Sequence, residues 1–266
     1  MELVNKFKNR LAEPLTPLGT WLMSASPTCA EAIGWSGLDF VVVDMEHVPI
    51  ELPDVIEIHR ALAATPIGTI TRVPWNDPVV VKRLLDAGAQ TLMFPMIQTT
   101  DDAAAAVRAT RYPPAGIRGV AAVHRASRYG AMSDYLKRSG PELMVIVQIE
   151  TRESWARLDA IASVDGVDAV FIGPADLAAS MGRLGDVMHP EVQEAIRATP
   201  ALCHARGKKA GTVGANADVA KTYAGHGYDF VGIGSDLVAM NATFKAQLAA
   251  FGRGLLTPST SAPAAY

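Results

Sequence analysis

Several features that mark other protein classes are scarce in this chain. Its 266 residues include only two cysteines, Cys29 and Cys203, which lie far apart and show no CxxC spacing. This pattern predicts two reduced thiols rather than a disulfide framework or a zinc site. Charged residues make up only 19% of the chain, against 49% hydrophobic residues, so the composition excludes global disorder and allows a sizeable core.

Long apolar runs and an excess of one charge are also absent. No run approaches the length that spans a bilayer, and the first residues, from Met1 to Lys6, lack the apolar core of a signal peptide. The net charge of -3 provides no electrostatic footprint for nucleic acid or for an anionic membrane. We therefore expect a cytoplasmic globular protein that binds neither nucleic acid nor membranes.

Apolar runs rich in β-branched residues alternate with helical patterns along the chain. Eight such runs predict strands in about the length that a (β/α)8 barrel takes. A doubly wound open sheet shares this alternation, but no glycine-rich dinucleotide fingerprint follows the first strand. The predicted fold is therefore an α/β (β/α)8 TIM barrel over residues 1–256, with a disordered tail at 257–266. The predicted strands are 18–23, 39–44, 67–73, 91–94, 143–150, 169–172, 209–213 and 230–233.

The patterns between the strands add local detail. Three strand entries repeat a glycine followed two residues later by an acid, at Gly37, Gly166 and Gly227, as expected for a repeated βα unit. Thr28 is the predicted cap of the first helix after a strand, and residues 154–162 are predicted to form one helix. The segment 111–133, which contains four arginines, is long and irregular and is therefore expected to be functional or mobile.

Two of the apolar runs stop abruptly near a carboxylate. One ends at Glu150, and the other leads through Gly173, Pro174 and Ala175 to Asp176. A buried strand that ends on a charge needs a partner for that charge, and two carboxylates from neighbouring strands suit a hard cation such as Mg²⁺ or Mn²⁺. The alternative is that each acid caps the helix that follows it. The free N–H groups at the start of the helix after Gly173 would suit a substrate carboxylate.

Other strand ends supply an imidazole and a guanidinium to the same rim, where TIM barrels perform their chemistry. His47 follows a strand end together with Asp44 and Glu46, so it is a candidate for proton transfer, with metal ligation as the second possibility. Arg72 ends the third strand, where it could hold developing negative charge on a substrate oxygen or form an internal salt bridge to Asp44 or Glu46. Trp21, at the first strand end, is a candidate substrate contact.

Lysine is missing from every predicted carboxyl end of a strand. Lys208 and Lys209 lie at the opposite end of the seventh strand. A Schiff-base mechanism therefore has no evident nucleophile, and this absence favours a metal-dependent mechanism.

The motifs that carry these residues resemble the HpcH/HpaI aldolase family, whose members are metal-dependent class II aldolases acting on pyruvate. The resemblance runs from about Thr20 to Phe251. Its motifs are Val43-Asp44-Met45-Glu46-His47, Arg72-Val73-Pro74, Leu84 to Gln90, Arg111-Tyr112-Pro113-Pro114, Arg118-Gly119-Val120, Gln148-Ile149-Glu150 and Phe171 to Leu177.

The resemblance implies a barrel of the phosphoenolpyruvate/pyruvate type and a role for each candidate residue. Glu150 and Asp176 would bind a divalent cation, Mg²⁺, Mn²⁺ or Co²⁺, which a 2-oxo acid chelates. Gln148 and the backbone near Ala175 would contact that acid, Arg72 would stabilise its enolate and His47 would accept a proton. It further implies that Asp86 pairs with the histidine across a subunit interface, in a homo-oligomer, usually a hexamer, with sites at its interfaces.

The implied reaction is the reversible cleavage of a 4-hydroxy-2-oxo acid to pyruvate, or a similar 2-oxo acid, and an aldehyde. Met45 and the region around Val123-His124-Arg125 depart from the family pattern, so the aldehyde is not carried over. Alternatives are a lyase of citryl or malyl type acting on a CoA thioester, which would need a basic patch, a decarboxylase or tautomerase using the same enolate, and a binding protein that keeps the fold.

Overall fold

The structure, a computed structural model, describes residues 3–254 and shows eight parallel strands closed into a barrel. The strands are β1 (Leu18–Leu22), β2 (Phe40–Asp44), β3 (Gly68–Arg72), β4 (Thr91–Phe94), β5 (Met144–Ile149), β6 (Ala169–Ile172), β7 (Lys209–Gly214) and β8 (Phe230–Ser235). Each strand pairs with the next one in sequence, and β8 pairs with β1. The predicted (β/α)8 barrel is confirmed. The tail predicted at 257–266 lies outside the described residues.

The helices pack around this barrel, except for the first, which lies at its amino-terminal end, and the last, which has no buried residue. They are α1 (Lys6–Arg10), α2 (Pro27–Gly34), α3 (Leu52–Ala63), α4 (Pro78–Ala87), α5 (Thr100–Thr110), α6 (Tyr135–Arg138), α7 (Arg152–Ala156), α8 (Leu158–Ala162), α9 (Pro174–Ser180), α10 (Pro190–His204), α11 (Ala217–Gly225) and α12 (Asp236–Ala250). Across residues 3–254, no helix is long and apolar enough to cross a bilayer.

Two local predictions about the helices were wrong. The cap of α2 is Ser26, whose side chain accepts a hydrogen bond from the Cys29 N–H, and Thr28 lies inside the helix. The single helix predicted over 154–162 is two short helices, α7 and α8, that meet at Arg157, whose backbone (φ -102°, ψ 5°) is not helical. The irregular segment 111–133 contains a single 3-10 turn, Arg125–Ser127.

The repeated glycine and acid at three strand entries have a structural explanation. Each glycine takes a positive φ, which an L side chain rarely adopts, and so turns the chain into the next strand. The acid then accepts a hydrogen bond from a backbone N–H near the start of the preceding strand, which ties neighbouring strands together. The bonded pairs are Asp39 with Leu18 (2.9 Å), Asp168 with Val145 (2.8 Å) and Asp229 with Ala210 (2.8 Å).

Aromatic side chains fill the lower part of the barrel interior. Phe7 of α1 packs edge-on against Phe40 and Phe230, with both pairs of ring centroids 5.2 Å apart. Strand glycines make room for these rings, because a Cβ at Gly211 would lie 2.1 Å from the Phe230 ring. The packed aromatic layer closes the amino-terminal end of the barrel, so that the opposite end alone can hold a deep polar site.

Candidate active site

A cavity of about 450 Å³ opens at the carboxyl end of the barrel. One part of its wall is apolar and comes from Val187, Met188, Val213, Val219 and Tyr223. All of the site residues predicted from the sequence except Asp86 line the rest of it. They are Trp21, His47, Arg72, Gln148, Glu150, Gly173, Pro174, Ala175 and Asp176.

Glu150 is the most deeply buried acid of this cavity, with 2% of its surface exposed. Its Oε1 accepts a hydrogen bond from Gln148 Nε2 and its Oε2 accepts one from the Met96 backbone N–H, both at 2.8 Å. Burial raises the pKa of Glu150 to about 7, the Met96 hydrogen bond opposes that rise, and the nearby charges of Glu46 and Asp176 add to it. A cation bound beside Glu150 would offset the cost of burying its negative charge and the repulsion from Glu46 and Asp176.

The position of the Glu150 carboxylate depends on two unusual backbone positions. Met96 has a positive φ of 53°, which is uncommon for a residue with a side chain, and its N–H meets the carboxylate in that conformation. At Gly173, a Cβ atom would lie 2.6 Å from Glu150 Oε1 and 2.8 Å from its Cγ. Any side chain at position 173 would therefore push the carboxylate away, which explains why the helix start after β6 is glycine.

Arg72 is held by two acids rather than left free in the cavity. Its Nε and Nη2 donate to the two oxygens of Asp44, at 2.9 and 2.6 Å, and its Nη1 lies 2.9 Å from Glu46 Oε2. The internal salt bridge considered for Arg72 is therefore present with both acids. A guanidinium has five N–H bonds. Two of them donate to Asp44, whereas the contact with Glu46 is an ion pair without hydrogen-bond geometry. Three N–H bonds of Arg72 therefore have no hydrogen-bond partner within residues 3–254.

His47 lies at the cavity mouth, with 57% of its side chain exposed. Its nearest charged neighbour is Glu46, whose Oε2 lies 3.8 Å from Nε2, and within residues 3–254 the ring makes no hydrogen bond. Burial raises the pKa of Glu46, while the charges of Arg72 and His47 oppose that rise. This chain alone therefore does not fix the orientation of the imidazole.

Asp86 lies away from the cavity, in the last turn of α4 and at the opposite end of the barrel from His47. Its Oδ1 accepts a hydrogen bond from Arg118 Nη2 at 2.7 Å and lies 3.7 Å from His124 Nε2. Helix α4 runs back from the carboxyl end of β3 to the start of β4, which is why its last turn is remote from the strand ends. The pairing implied for Asp86 and His47 is thus not made within one chain.

The donor set at Glu150 fits a divalent cation, although no group of three or more His, Cys, Asp or Glu side chains that could hold a metal occurs in residues 3–254. Gln148 Oε1 is buried and has no hydrogen-bond partner among the described residues, so it adds an unused oxygen beside Glu150 and Asp176. Mg²⁺ prefers oxygen ligands and commonly takes only one or two of them from protein carboxylates, with water and substrate supplying the rest. Two protein carboxylates would leave coordination positions on Mg²⁺ for water and substrate, as in a catalytic site. A closed structural site would leave none.

A family model described as HpcH/HpaI aldolase/citrate lyase matches residues 18–242. The chain belongs to this family. It is 46% identical over 224 residues to 2-dehydro-3,6-dideoxy-6-sulfogluconate aldolase of Pseudomonas putida, covering 84% of this chain and 88% of that protein. It is 45% identical over 249 residues to 4-hydroxy-2-oxo-heptane-1,7-dioate aldolase of Salmonella dublin, covering 93% of this chain and 95% of that protein.

A solved structure agrees with this assignment. The crystal structure of an HpcH/HpaI aldolase/citrate lyase family protein from Burkholderia cenocepacia J2315 matches with a TM-score of 0.89 and 40% identity, covering 93% of this chain and all of that one. The protein is accordingly an aldolase, a carbon–carbon lyase that cleaves a hydroxy-oxo acid.

Sequence reasoning underestimated two parts of the molecule around this HpcH/HpaI site. The sequence indicates Asp44 only as one of two possible partners of Arg72, whereas in the structure both of its carboxylate oxygens accept hydrogen bonds from the guanidinium. The pair could be predicted from the strand register, because Asp44 and Arg72 are directly opposite each other on β2 and β3. No pattern in the sequence predicts a role for His124, whose Nε2 lies 3.7 Å from Asp86 Oδ1 because of the way the 111–133 segment folds.

Proposed function

We propose that the protein is a metal-dependent class II aldolase that reversibly cleaves a 4-hydroxy-2-oxo acid to pyruvate, or a similar 2-oxo acid, and an aldehyde. The observation that carries this proposal is the buried Glu150 carboxylate, with its raised pKa, beside Asp176 in a cavity that also contains Arg72 and His47. Glu150 and Asp176 would hold Mg²⁺, Mn²⁺ or Co²⁺. Such a cation supplies Lewis-acid polarisation of the substrate's keto oxygen. Two unpaired cysteines accord with a cytoplasmic enzyme.

The residues of the chain have separate tasks in this reaction. The N–H groups of Ala175 and Asp176 precede the first hydrogen bond of α9, which Leu177 donates to Gly173 at 3.0 Å, so they are available to the substrate carboxylate. Trp21 and Gln148 line the cavity beside that position. The N–H bonds of Arg72 that are not donated to Asp44 hold negative charge on the keto oxygen as it develops.

Proton transfer falls to His47. In the cleavage direction its imidazole accepts the proton of the 4-hydroxyl group, the C3–C4 bond breaks, and the electron pair passes to the 2-oxo acid fragment as its enolate. The aldehyde leaves, and protonation at C3 then gives pyruvate. His47 lies at the open mouth of the cavity, on the side where an aldehyde would enter.

Three arginines of the 111–133 segment are not available to form the basic patch that a CoA thioester lyase would need. Arg118 is fully buried against Asp86, Arg125 donates to the Ala87 carbonyl at 2.7 Å, and burial lowers the pKa of Arg111. Arg111, Arg118 and Arg125 are therefore held within the fold and do not offer charge to a nucleotide. This arrangement favours an aldehyde-releasing reaction over one on a nucleotide-bearing thioester.

An aldol assay tests the proposed function. Protein, Mg²⁺ or Mn²⁺, pyruvate and a panel of aldehydes should give 4-hydroxy-2-oxo acids, detected by mass spectrometry, and excess chelator should stop their formation because the keto oxygen is no longer polarised. A heat-denatured sample is the control. Equal product with chelator present would contradict the metal dependence. Turnover of a CoA ester without turnover of any aldehyde would favour the alternative lyase.

We further propose that the active form is a homo-oligomer, such as a hexamer, in which Asp86 of one copy serves His47 of another. His47 and Asp86 lie at opposite ends of the barrel. Within one chain they are therefore separated by about the length of a five-residue strand, roughly 17 Å at about 3.3 Å per residue. The surface near Asp86 exposes apolar side chains, including 63% of Val120 and 69% of Val123, and α12 exposes 61% of Phe244. Exposed apolar surface of this kind marks subunit contacts.

Complementation between inactive variants tests the shared site. His47→Ala and Asp86→Ala should each be inactive alone, but oligomers formed from an equal mixture should recover about one quarter of wild-type activity, because random assembly leaves that share of sites intact. The two variants would be co-expressed with different affinity tags, and oligomers carrying both tags would be purified. Their steady-state rates would measure the recovered activity. No recovery from verified mixed oligomers would place both residues in one chain's site or remove Asp86 from the reaction.

A further inference from the structure

A buried polar cluster lies beneath the 111–133 segment, outside the active-site cavity. At its centre the Arg118 side chain is 0% exposed and donates from Nη2 to Asp86 Oδ1 at 2.7 Å. The Arg118 guanidinium lies over the Tyr112 ring, 4.5 Å from its centroid, and Nη2 also lies 3.5 Å from the Tyr135 hydroxyl. A permanently charged group buried this completely needs a specific partner, and Asp86 is that partner.

His124 approaches the same carboxylate from a second direction. Its Nδ1 accepts a hydrogen bond from the Ser127 N–H at 3.1 Å and so caps the 3-10 turn, which places the hydrogen of a neutral ring on Nε2. That Nε2 lies 3.7 Å from Asp86 Oδ1. The side chain is only 8% exposed, and Nε2 has no hydrogen-bond partner in the part of the chain that the structure describes. An edge-on contact with Tyr135 fixes the ring, with centroids 5.1 Å apart.

The geometry of these contacts leaves one side of the carboxylate available. Both Arg118 and His124 face Oδ1, whereas Oδ2 accepts no hydrogen bond from residues 3–254. The Asp86 side chain remains 22% exposed, so the group is open on one side. Helix stability does not explain an acid at this place, since Asp86 lies in the last turn of α4, where the helix dipole disfavours negative charge.

We propose that His124, together with Arg118, is a positioning residue for Asp86: it fixes Oδ1 so that Oδ2 is presented to His47 of a second copy. This inference rests on the proposed function of Asp86 in a shared site. His124 touches no substrate and acts only through the carboxylate. A small approach of Asp86 when the copies meet would turn the 3.7 Å separation into a hydrogen bond to the unpaired Nε2–H.

Two substitutions separate this role from a structural one. His124→Asn keeps an acceptor for the Ser127 N–H, because asparagine is a favoured cap, but removes the donor that faces Asp86. His124→Gln places an amide donor near the position of Nε2 and weakens the cap. In the full oligomer with Mg²⁺, kcat should fall about tenfold for His124→Asn, as is typical when the partner that orients a functional group is removed. The KM for the 2-oxo acid and the melting temperature should remain at the wild-type values.

His124→Gln should retain most of the wild-type kcat even if its melting temperature falls. A matched control is His204→Asn, which removes a histidine contact to a different acid, Asp229, on the surface. This control should leave kcat unchanged. Full activity in His124→Asn, or equal losses of kcat in the asparagine and glutamine variants, would overturn the inference.

A double-mutant cycle tests whether His124 acts through Asp86. In an Asp86→Asn background, His124→Asn should lower the residual kcat by less than about twofold, because the group that it positions has already lost its charge. A further tenfold loss in that background would overturn the inference while leaving the aldolase reaction in place. Absence of aldol activity from the wild-type protein would instead overturn the proposed function, and this inference with it.

Discussion

Replacing Arg72 with methionine should lower kcat by about 10²–10³-fold, the effect of removing a preorganised donor that faces developing negative charge. Arg72 lines the cavity, and only two of its five N–H bonds are donated, both to Asp44. The KM for the 2-oxo acid should change less than kcat, since charge on the keto oxygen grows mainly in the transition state. Steady-state cleavage rates at saturating metal would measure both constants.

The same substitution should also destabilise the fold, and this must be measured separately. The side chains of Arg72 and Asp44 are 8% and 1% exposed, so Arg72→Met leaves a buried acid without its partner. The free energy of unfolding should fall by about 3–5 kcal/mol. Arg72→Lys is the matched control: it keeps the charge but cannot form the two-pronged contact with Asp44 and still reach Glu46. A folded Arg72→Met protein that retains wild-type kcat would contradict the assigned role.

Replacing Glu150 with glutamine should lower activity by about a thousandfold at any practical concentration of Mg²⁺. Loss of Lewis-acid polarisation removes several kcal/mol of transition-state stabilisation, and about 4 kcal/mol corresponds to that factor. Glutamine has nearly the same shape, so the hydrogen bond from the Met96 N–H should persist. Activity at several Mg²⁺ concentrations, with metal binding measured by calorimetry, would test this expectation. Wild-type metal affinity in the variant would contradict it.

The pH dependence of the melting temperature tests whether Glu150→Gln remains folded and has lost the titrating group. The pKa of Glu150 is raised to about 7 in the folded protein, above its usual value of 4.5. The group therefore stabilises the metal-free fold below pH 4.5, and that contribution is lost as pH rises through 7. Metal-free Glu150→Gln should lack this decline and should be at least as stable as the wild type at pH 8. Melting temperatures of both proteins between pH 5 and pH 8 would show it.

The strand ends explain why so much of the site could be predicted from the sequence. In a parallel barrel every strand presents its carboxyl end to one rim, so the order of apolar runs and the residues that follow them are enough to group Trp21, His47, Arg72 and Glu150. The structure places all four around one cavity. Their chemical roles remain predictions, because position on a rim does not determine which group binds metal and which moves a proton.

Contacts that depend on irregular backbone could not be predicted in the same way. Asp86 and Arg118 are 32 residues apart, and their hydrogen bond depends on how the 111–133 segment folds back on α4. No periodic pattern fixes such a segment, since its conformation follows from individual side-chain contacts. The break between α7 and α8 at Arg157 is a similar case, because apolar spacing continues through a residue whose backbone is not helical.

The central claim, a metal-dependent enolate of a 2-oxo acid at Glu150 and Asp176, can be tested without knowing the aldehyde. Proton NMR in D₂O would follow exchange of the pyruvate methyl protons in the presence of the protein, Mg²⁺ and no aldehyde. Exchange should be rapid, should stop with excess chelator and return with added Mg²⁺, and should be nearly absent in Glu150→Gln. Exchange at the same rate in the chelated protein, or aldol cleavage without any methyl exchange, would contradict the account.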